Sequence, residues 1–157
     1  MTAPAAWNRA RAAEIIDAHK HVEGATLPIL LALQEAFGFV PADTVRMIAE
    51  ALNLSRADVH GVVTFYHDFR HEPPGRTVLK LCRAEACQSM GADRLAEAAK
   101  QRLKVDWRGT TADGRVTLEP VFCLGLCATA PAAMVDERPV GRLTRARLDA
   151  AIDAATS

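Results

Sequence analysis

The sequence has no excess charge of either sign, no long apolar run and only four cysteines. Nineteen lysines and arginines balance nineteen aspartates and glutamates over 157 residues, with no basic cluster. That removes the electrostatic footprint of a protein that binds nucleic acid or other polyanions. No stretch approaches the roughly 20 apolar residues of a membrane span. The longest apolar run, Leu27 to Leu33, has the length of one buried helical segment. The opening stretch, MTAPAAWNRARAAEII, lacks the charged-then-apolar order of a secretory signal. A cytoplasmic location without membrane insertion is therefore expected. In that compartment thiols stay reduced, and paired cysteines are more often metal ligands than disulfides. Internal repeats and low-complexity segments are also missing, alanine-rich helices aside. So are a glycine-rich nucleotide fingerprint after a strand and a Walker-type loop. No nucleotide site is expected on this chain.

What is present is an ordinary globular composition, half hydrophobic and 24% charged. The length suits one domain or two small ones. The first half reads as helices. Ala12, Ile15, Ile16 and His19 define one face, and Leu27 to Phe37 is apolar nearly all round, with Gly38 as its stop. Pro41 opens a third segment carrying Val45, Ile48, Ala49 and Leu52 at helical spacing. Ser55 and Asp58 resemble a capping box ahead of Val59, Val62 and Val63. These four helices form a small bundle. Val62 to Phe69 is apolar and aromatic and reads as core packing, and Trp7 and Trp107 as packing anchors. Glu72-Pro73-Pro74-Gly75 cannot continue a helix, because both prolines lack an amide donor. The expected domains are residues 1–74 and 75–157.

The second half changes period. Thr77 to Leu81 and Arg115 to Val121 read as strands, the latter entered through an Asp113-Gly114 turn. Between them Ala92, Leu95, Ala96, Ala99 and Leu103 mark a helix, with Ser89 as its expected cap. Ala132 to Val135 and Pro139 to Leu143 read as a short hairpin. Thr144 caps a last helix with Leu148, Ala151, Ile152 and Ala155 inside. Arg142, Arg145 and Arg147 read as a solvated face. The fold class is α/β, with a helical bundle followed by a domain built on a small mixed sheet.

The cysteines form two pairs, Cys82 and Cys87 (C-x4-C) and Cys123 and Cys127 (C-x3-C), with 35 residues between the pairs. Each pair lies where a strand gives way to a loop. There backbone amides can point at sulfur and stabilise a negatively charged site. Gly125 at the centre of the second loop permits a tight turn. Four chemistries compete for such a set: a 2Fe–2S cluster, a structural zinc, two disulfides or thiol catalysis. Zinc sites favour tighter spacing, and the reducing compartment disfavours disulfides. Neither pair has the C-x2-C of a thioredoxin-type redox site. All five histidines precede residue 72, away from these thiols. His67 and His71, spaced i and i+4, have no evident third ligand and read as surface residues.

Cys123-Leu124-Gly125-Leu126-Cys127-Ala128-Thr129-Ala130-Pro131, set about 35 residues after the first pair, resembles the signature of the thioredoxin-like 2Fe–2S ferredoxins. These include the small subunit of the NADH-oxidising module of respiratory complex I and its counterparts in NAD-reducing hydrogenases and formate dehydrogenases. Leu27-Pro28-Ile29-Leu30, Gln34-Glu35, Gly38-Phe39-Val40-Pro41 and Gly61-Val62-Val63-Thr64-Phe65-Tyr66 are similar to that family's helical bundle. The resemblance covers roughly residues 25 to 155. It implies a thioredoxin-like sheet domain and one 2Fe–2S cluster on Cys82, Cys87, Cys123 and Cys127. It also implies that FMN, NAD and a molybdenum cofactor sit on partner subunits: a larger flavin- and NAD-binding one, clasped by the bundle, and a catalytic one. Cys82 to Ser89 and His67-Asp68-Phe69 look most similar to the gamma subunit of NAD-dependent molybdenum formate dehydrogenases. The complex I and hydrogenase subunits are the alternatives, and an interaction module built on a structural zinc with four cysteine ligands is a further one.

Overall fold

The computed structural model describes residues 5–156. They divide into two compact units that meet in the sequence between Pro73 and Pro74.

The first unit holds α1 (Arg9–His19), α2 (Thr26–Phe37), α3 (Ala42–Leu52) and α4 (Arg56–Phe65). Local chemistry sets the helix ends. Asn8 accepts hydrogen bonds from the Ala10 and Arg11 amides and starts α1. Ser55 and Asp58 form the reciprocal capping box that starts α4. Gly38 stops α2 at φ 81°, a conformation that costs a glycine little, and its N–H donates to the Gln34 carbonyl. Ile29, Leu30, Leu33, Phe37, Ile48 and Val59 are buried in the core, with Trp7 edge-on to Phe37 at 5.2 Å.

Two expectations need correction. α2 is not buried all round, because Leu31 is 59% exposed while Ile29, Leu30, Leu33 and Phe37 face inward. The aromatic run after α4 also splits. Val63 and Phe69 are buried, but Phe65 is 73% exposed. The chain beyond Tyr66 leaves the helix and is pinned by Gln34, whose side chain donates to the Asp68 carbonyl and accepts from the Arg70 amide.

The second unit holds β1 (Thr77–Cys82), α5 (Glu85–Ser89), α6 (Ala92–Leu103), β2 (Val116–Val121), β3 (Ala133–Val135), β4 (Arg138–Val140) and α7 (Arg145–Thr156). The sheet order is β2-β1-β3-β4, with β1 and β2 parallel and the other pairs antiparallel. The parallel pair requires a crossover, which α6 supplies. Leu79, Leu81, Val116, Leu118 and Ala133 pack with residues of α6 and α7 in one core. Strand alternation puts Lys80 and its register partner Glu119 on the opposite face, 3.8 Å apart. Both sheet edges are guarded. The Arg108–Thr111 segment hydrogen-bonds along β2, and β4 carries Pro139.

Ser89 does not cap α6. It ends α5, where its hydroxyl donates to the Ala86 carbonyl, and Gly91 at φ 86° stands at the cap position instead. The final hairpin strand runs over Arg138–Val140 rather than residues 139–143, because Arg142 turns left-handed at φ 49°. Thr144 accepts from the Arg147 amide at the start of α7, as expected. Among the described residues, no helix is long and apolar enough to cross a membrane.

Candidate metal centre

Strand register explains why the thiols meet. Cys82 ends β1 opposite Val121, the last residue of β2. Because β1 and β2 run parallel, both strands deliver their C-terminal ends to the same rim of the sheet. Cys123 emerges two residues beyond Val121. Cys87 lies on the single turn of α5, and Cys127 opens a 3-10 turn over Cys127–Thr129. The chain then returns antiparallel beside β1, and the Cys82 amide donates to the Ala132 carbonyl at 3.0 Å.

The four thiols form two pairs. Cys123 and Cys127 place their Sγ atoms 3.9 Å apart, and the Cys82 and Cys87 thiols lie within hydrogen-bonding reach of each other. The pairs adjoin, since the Cys123 and Leu124 amides reach the Cys82 thiol. Among the described residues, no three His, Cys, Asp or Glu side chains are grouped so as to share one metal ion. The two pairs differ in exposure: Cys82 and Cys87 are buried, whereas Cys123 and Cys127 are exposed. Around the buried pair lie Ala92 and Ala132, with Val121, Leu124 and Leu126 partly buried against them. Small and aliphatic side chains limit water there without crowding the sulfurs.

Backbone amides supply most of the polarity. Burial pushes the Cys82 thiol up, but the Ala84 amide, the Cys87 thiol and the Cys123 and Leu124 amides outweigh it and hold its pKa below the ordinary value. Cys87 is pushed up by burial and then by its Cys82 neighbour, against the Ala132 amide. Cys127 is raised first by its interaction with Cys123. The Gly125 amide donates to Cys123 Sγ at 3.4 Å. Aiming that amide takes an unusual backbone. Gly125 sits at φ 73° and Cys123, a non-glycine residue, at φ 89°. Left-handed residues of this kind concentrate at functional sites.

The cations beside the first pair are matched by carboxylates of this chain. Lys80 pairs with Glu119, and Arg83 with Asp93 at 2.9 Å. The Arg83 guanidinium also lies 5.4 Å from the Trp107 ring centre, with Lys100 Nζ at 4.8 Å from the same ring. Trp107 is thus a packing anchor held by two cations. Sequence reasoning missed α5 and the amide donors Ala84 and Ala132, because an amide's direction leaves no mark on residue type. His67 and His71 both lie beyond α4 and are exposed, away from any helical i, i+4 face.

An α/β domain whose parallel strand ends present two thiol pairs, with amides directed at sulfur, has the donor set that an iron–sulfur protein needs. Residues 12–156 match the family described as thioredoxin-like 2Fe-2S ferredoxin, and the chain belongs to that family. Its cofactor is a 2Fe–2S cluster. The chain is 34% identical over 131 residues to the NADP-reducing hydrogenase subunit HndA of Solidesulfovibrio fructosivorans, covering 83% of this chain and 77% of that one. It is 37% identical over 113 residues to an NADH-quinone oxidoreductase subunit of Pseudomonas aeruginosa, covering 72% and 68% respectively. Among solved structures it resembles an NAD+-reducing NiFe-hydrogenase in the air-oxidised state, with a TM-score of 0.67 and 28% identity. That match covers 81% of this chain but only 22% of the hydrogenase chain.

Proposed function

We propose that Cys82, Cys87, Cys123 and Cys127 hold one 2Fe–2S cluster and that the chain is a single-electron carrier in a cytoplasmic, NAD-linked oxidoreductase complex. The observation that carries this reading is the pairing of the thiols: each iron of a binuclear cluster takes two thiolates, whereas a lone zinc gathers four around one point. When bound, the cluster supplies reversible one-electron chemistry with little ligand rearrangement. The chain's own contribution is to fix the thiolates on two loops and direct the Ala84, Cys123, Leu124, Gly125 and Ala132 amides at sulfur. It also keeps the Cys82–Cys87 side apolar and leaves the Cys123–Cys127 side open. The open side is the shorter route for an electron to or from a partner.

FMN and NAD belong on a larger partner subunit, which the helical unit clasps, and a further subunit carries the catalytic metal. The favoured complex is an NAD-reducing, molybdenum-containing formate dehydrogenase, on the strength of the Cys82–Ser89 loop and His67-Asp68-Phe69. The second reading is the equivalent subunit of a hydrogenase or an NADH:quinone oxidoreductase; the names of the relatives support it.

Purification without air tests the cofactor. About two irons and two acid-labile sulfides per chain, with a red-brown colour, are expected. About one zinc per colourless chain would overturn the proposal. Affinity capture of the chain from its own cell extract, assayed for NAD reduction by formate and by hydrogen, separates the two complexes.

A further inference from the structure

The bend between β4 and α7 lies directly against the second cysteine loop. Gly141 lies flat against Thr129. A methyl group built on Gly141 would stand 2.8 Å from Thr129 Cβ and 3.2 Å from its carbonyl oxygen, and closer still to its hydroxyl. Gly141 has no left-handed φ, so conformational freedom does not account for it. Space does. Just after that contact the two segments are tied backbone to backbone. The Arg142 amide donates to the Thr129 carbonyl at 2.5 Å, and the Leu143 amide to the Pro131 carbonyl at 2.8 Å. The bend is itself held from α7. Arg147 Nη1 donates to the Gly141 carbonyl at 2.6 Å and to the Arg142 carbonyl at 3.2 Å. Arg147 is therefore not simply part of a solvated face.

Thr129 ends the 3-10 turn that Cys127 begins, and the Thr129 amide and hydroxyl both donate to the Leu126 carbonyl. Thr129 and Cys127 thus share one hydrogen-bonded turn. We propose that Gly141 and Arg147 are positioning residues for the exposed thiol pair: Gly141 by admitting Thr129 and Arg147 by locking the bend against it. They act through backbone contacts, without touching a sulfur. This rests on the ligand set proposed above. A shift of Cys127 relative to Cys123 alters metal–sulfur geometry and the amide contacts to sulfur, which are what tune such a centre.

The test compares the full-length holoprotein with Gly141→Ala, Thr129→Gly, the double variant, and Arg147→Met. Readouts are iron per chain, visible circular dichroism, the paramagnetic resonance of the reduced protein, and the midpoint potential. Gly141→Ala is expected to shift the resonance line positions and the potential. Thr129→Gly removes the obstructing side chain, so adding Gly141→Ala to that variant is expected to shift both by less than adding it to the parent, which a general loss of stability would not produce. Arg147→Met, which alters no space at the contact, is expected to shift both in the same direction and less; it supplies the answer should Gly141→Ala fail to fold. Unchanged spectra and potential in both Gly141→Ala and Arg147→Met overturn the inference, as does a Gly141→Ala shift that is just as large when added to Thr129→Gly as when added to the parent. A parent protein without iron overturns the ligand set instead, so the two failures are distinct.

Discussion

Cys82 is the thiol most firmly built into the protein. It is 2% exposed, ends a central strand, and faces amides from both ligand loops. Cys82→Ala should lower iron per chain by about ten-fold or more while leaving far-UV circular dichroism intact. Retention of parental iron would remove Cys82 from the ligand set. Away from the centre, Asp149 on α7 accepts from Arg145 at 2.9 Å and lies 2.7 Å from Arg102 on α6, the second contact being close but bent. Arg145 first, and then Arg102, hold the Asp149 pKa below the ordinary value against the effect of burial. A depressed carboxylate stabilises the fold above its unfolded pKa of about 3.9 and loses that contribution as pH falls through the lower folded value. Asp149→Asn should melt earlier than the parent at pH 7, with the gap closing toward pH 3. A gap independent of pH would show that the charge is not the cause. The four cysteines stood out as candidate ligands because thiol chemistry depends on residue type and spacing. Gly141 was not, because its role lies in one close approach to Thr129, a residue of a different loop.

At the scale of elements, the helix ends were the easiest to read. The Ser55–Asp58 box and the Gly38 stop depend on residues within one turn. α5 is a five-residue helix, too short to show a period, and Ser89 looked like a cap because Gly91 leaves no side-chain signal. β4 was misplaced by a few residues because a three-residue edge strand containing proline has almost no alternation to detect. The helices also hold an unused reserve of stability. Gly61 lies inside α4 with a right-handed backbone, and nothing stands within 4 Å of a methyl group placed there. Gly61→Ala should stabilise the protein by about 0.5–1 kcal/mol through helix propensity alone. Denaturant titration measures this; a loss of stability would mean that the outer face of α4 is less open than it stands here.

At the scale of the whole molecule, the two units have separate cores, and all four thiols belong to the second. The sequence betrayed the change of character through its periodicity, from helical spacing before Glu72 to strand alternation after Gly75. What it could not display was the parallel register of β1 with β2, which brings Cys82 and Cys123 to one rim, since pairing between distant strands is not written in either strand alone. Residues 74–157 produced without the helical unit are expected to take up iron and sulfide as the full chain does, while losing capture of the flavin-bearing partner. Failure of that fragment to assemble a coloured centre would show that the helical unit is needed to build the site.

The most direct measurement is paramagnetic resonance of the anaerobically purified full-length chain after one-electron reduction. A rhombic signal of about one spin per chain is expected, with its line positions altered in a Cys127→Ser variant. A silent spectrum from a chain that carries one zinc in its four thiolates would contradict the account.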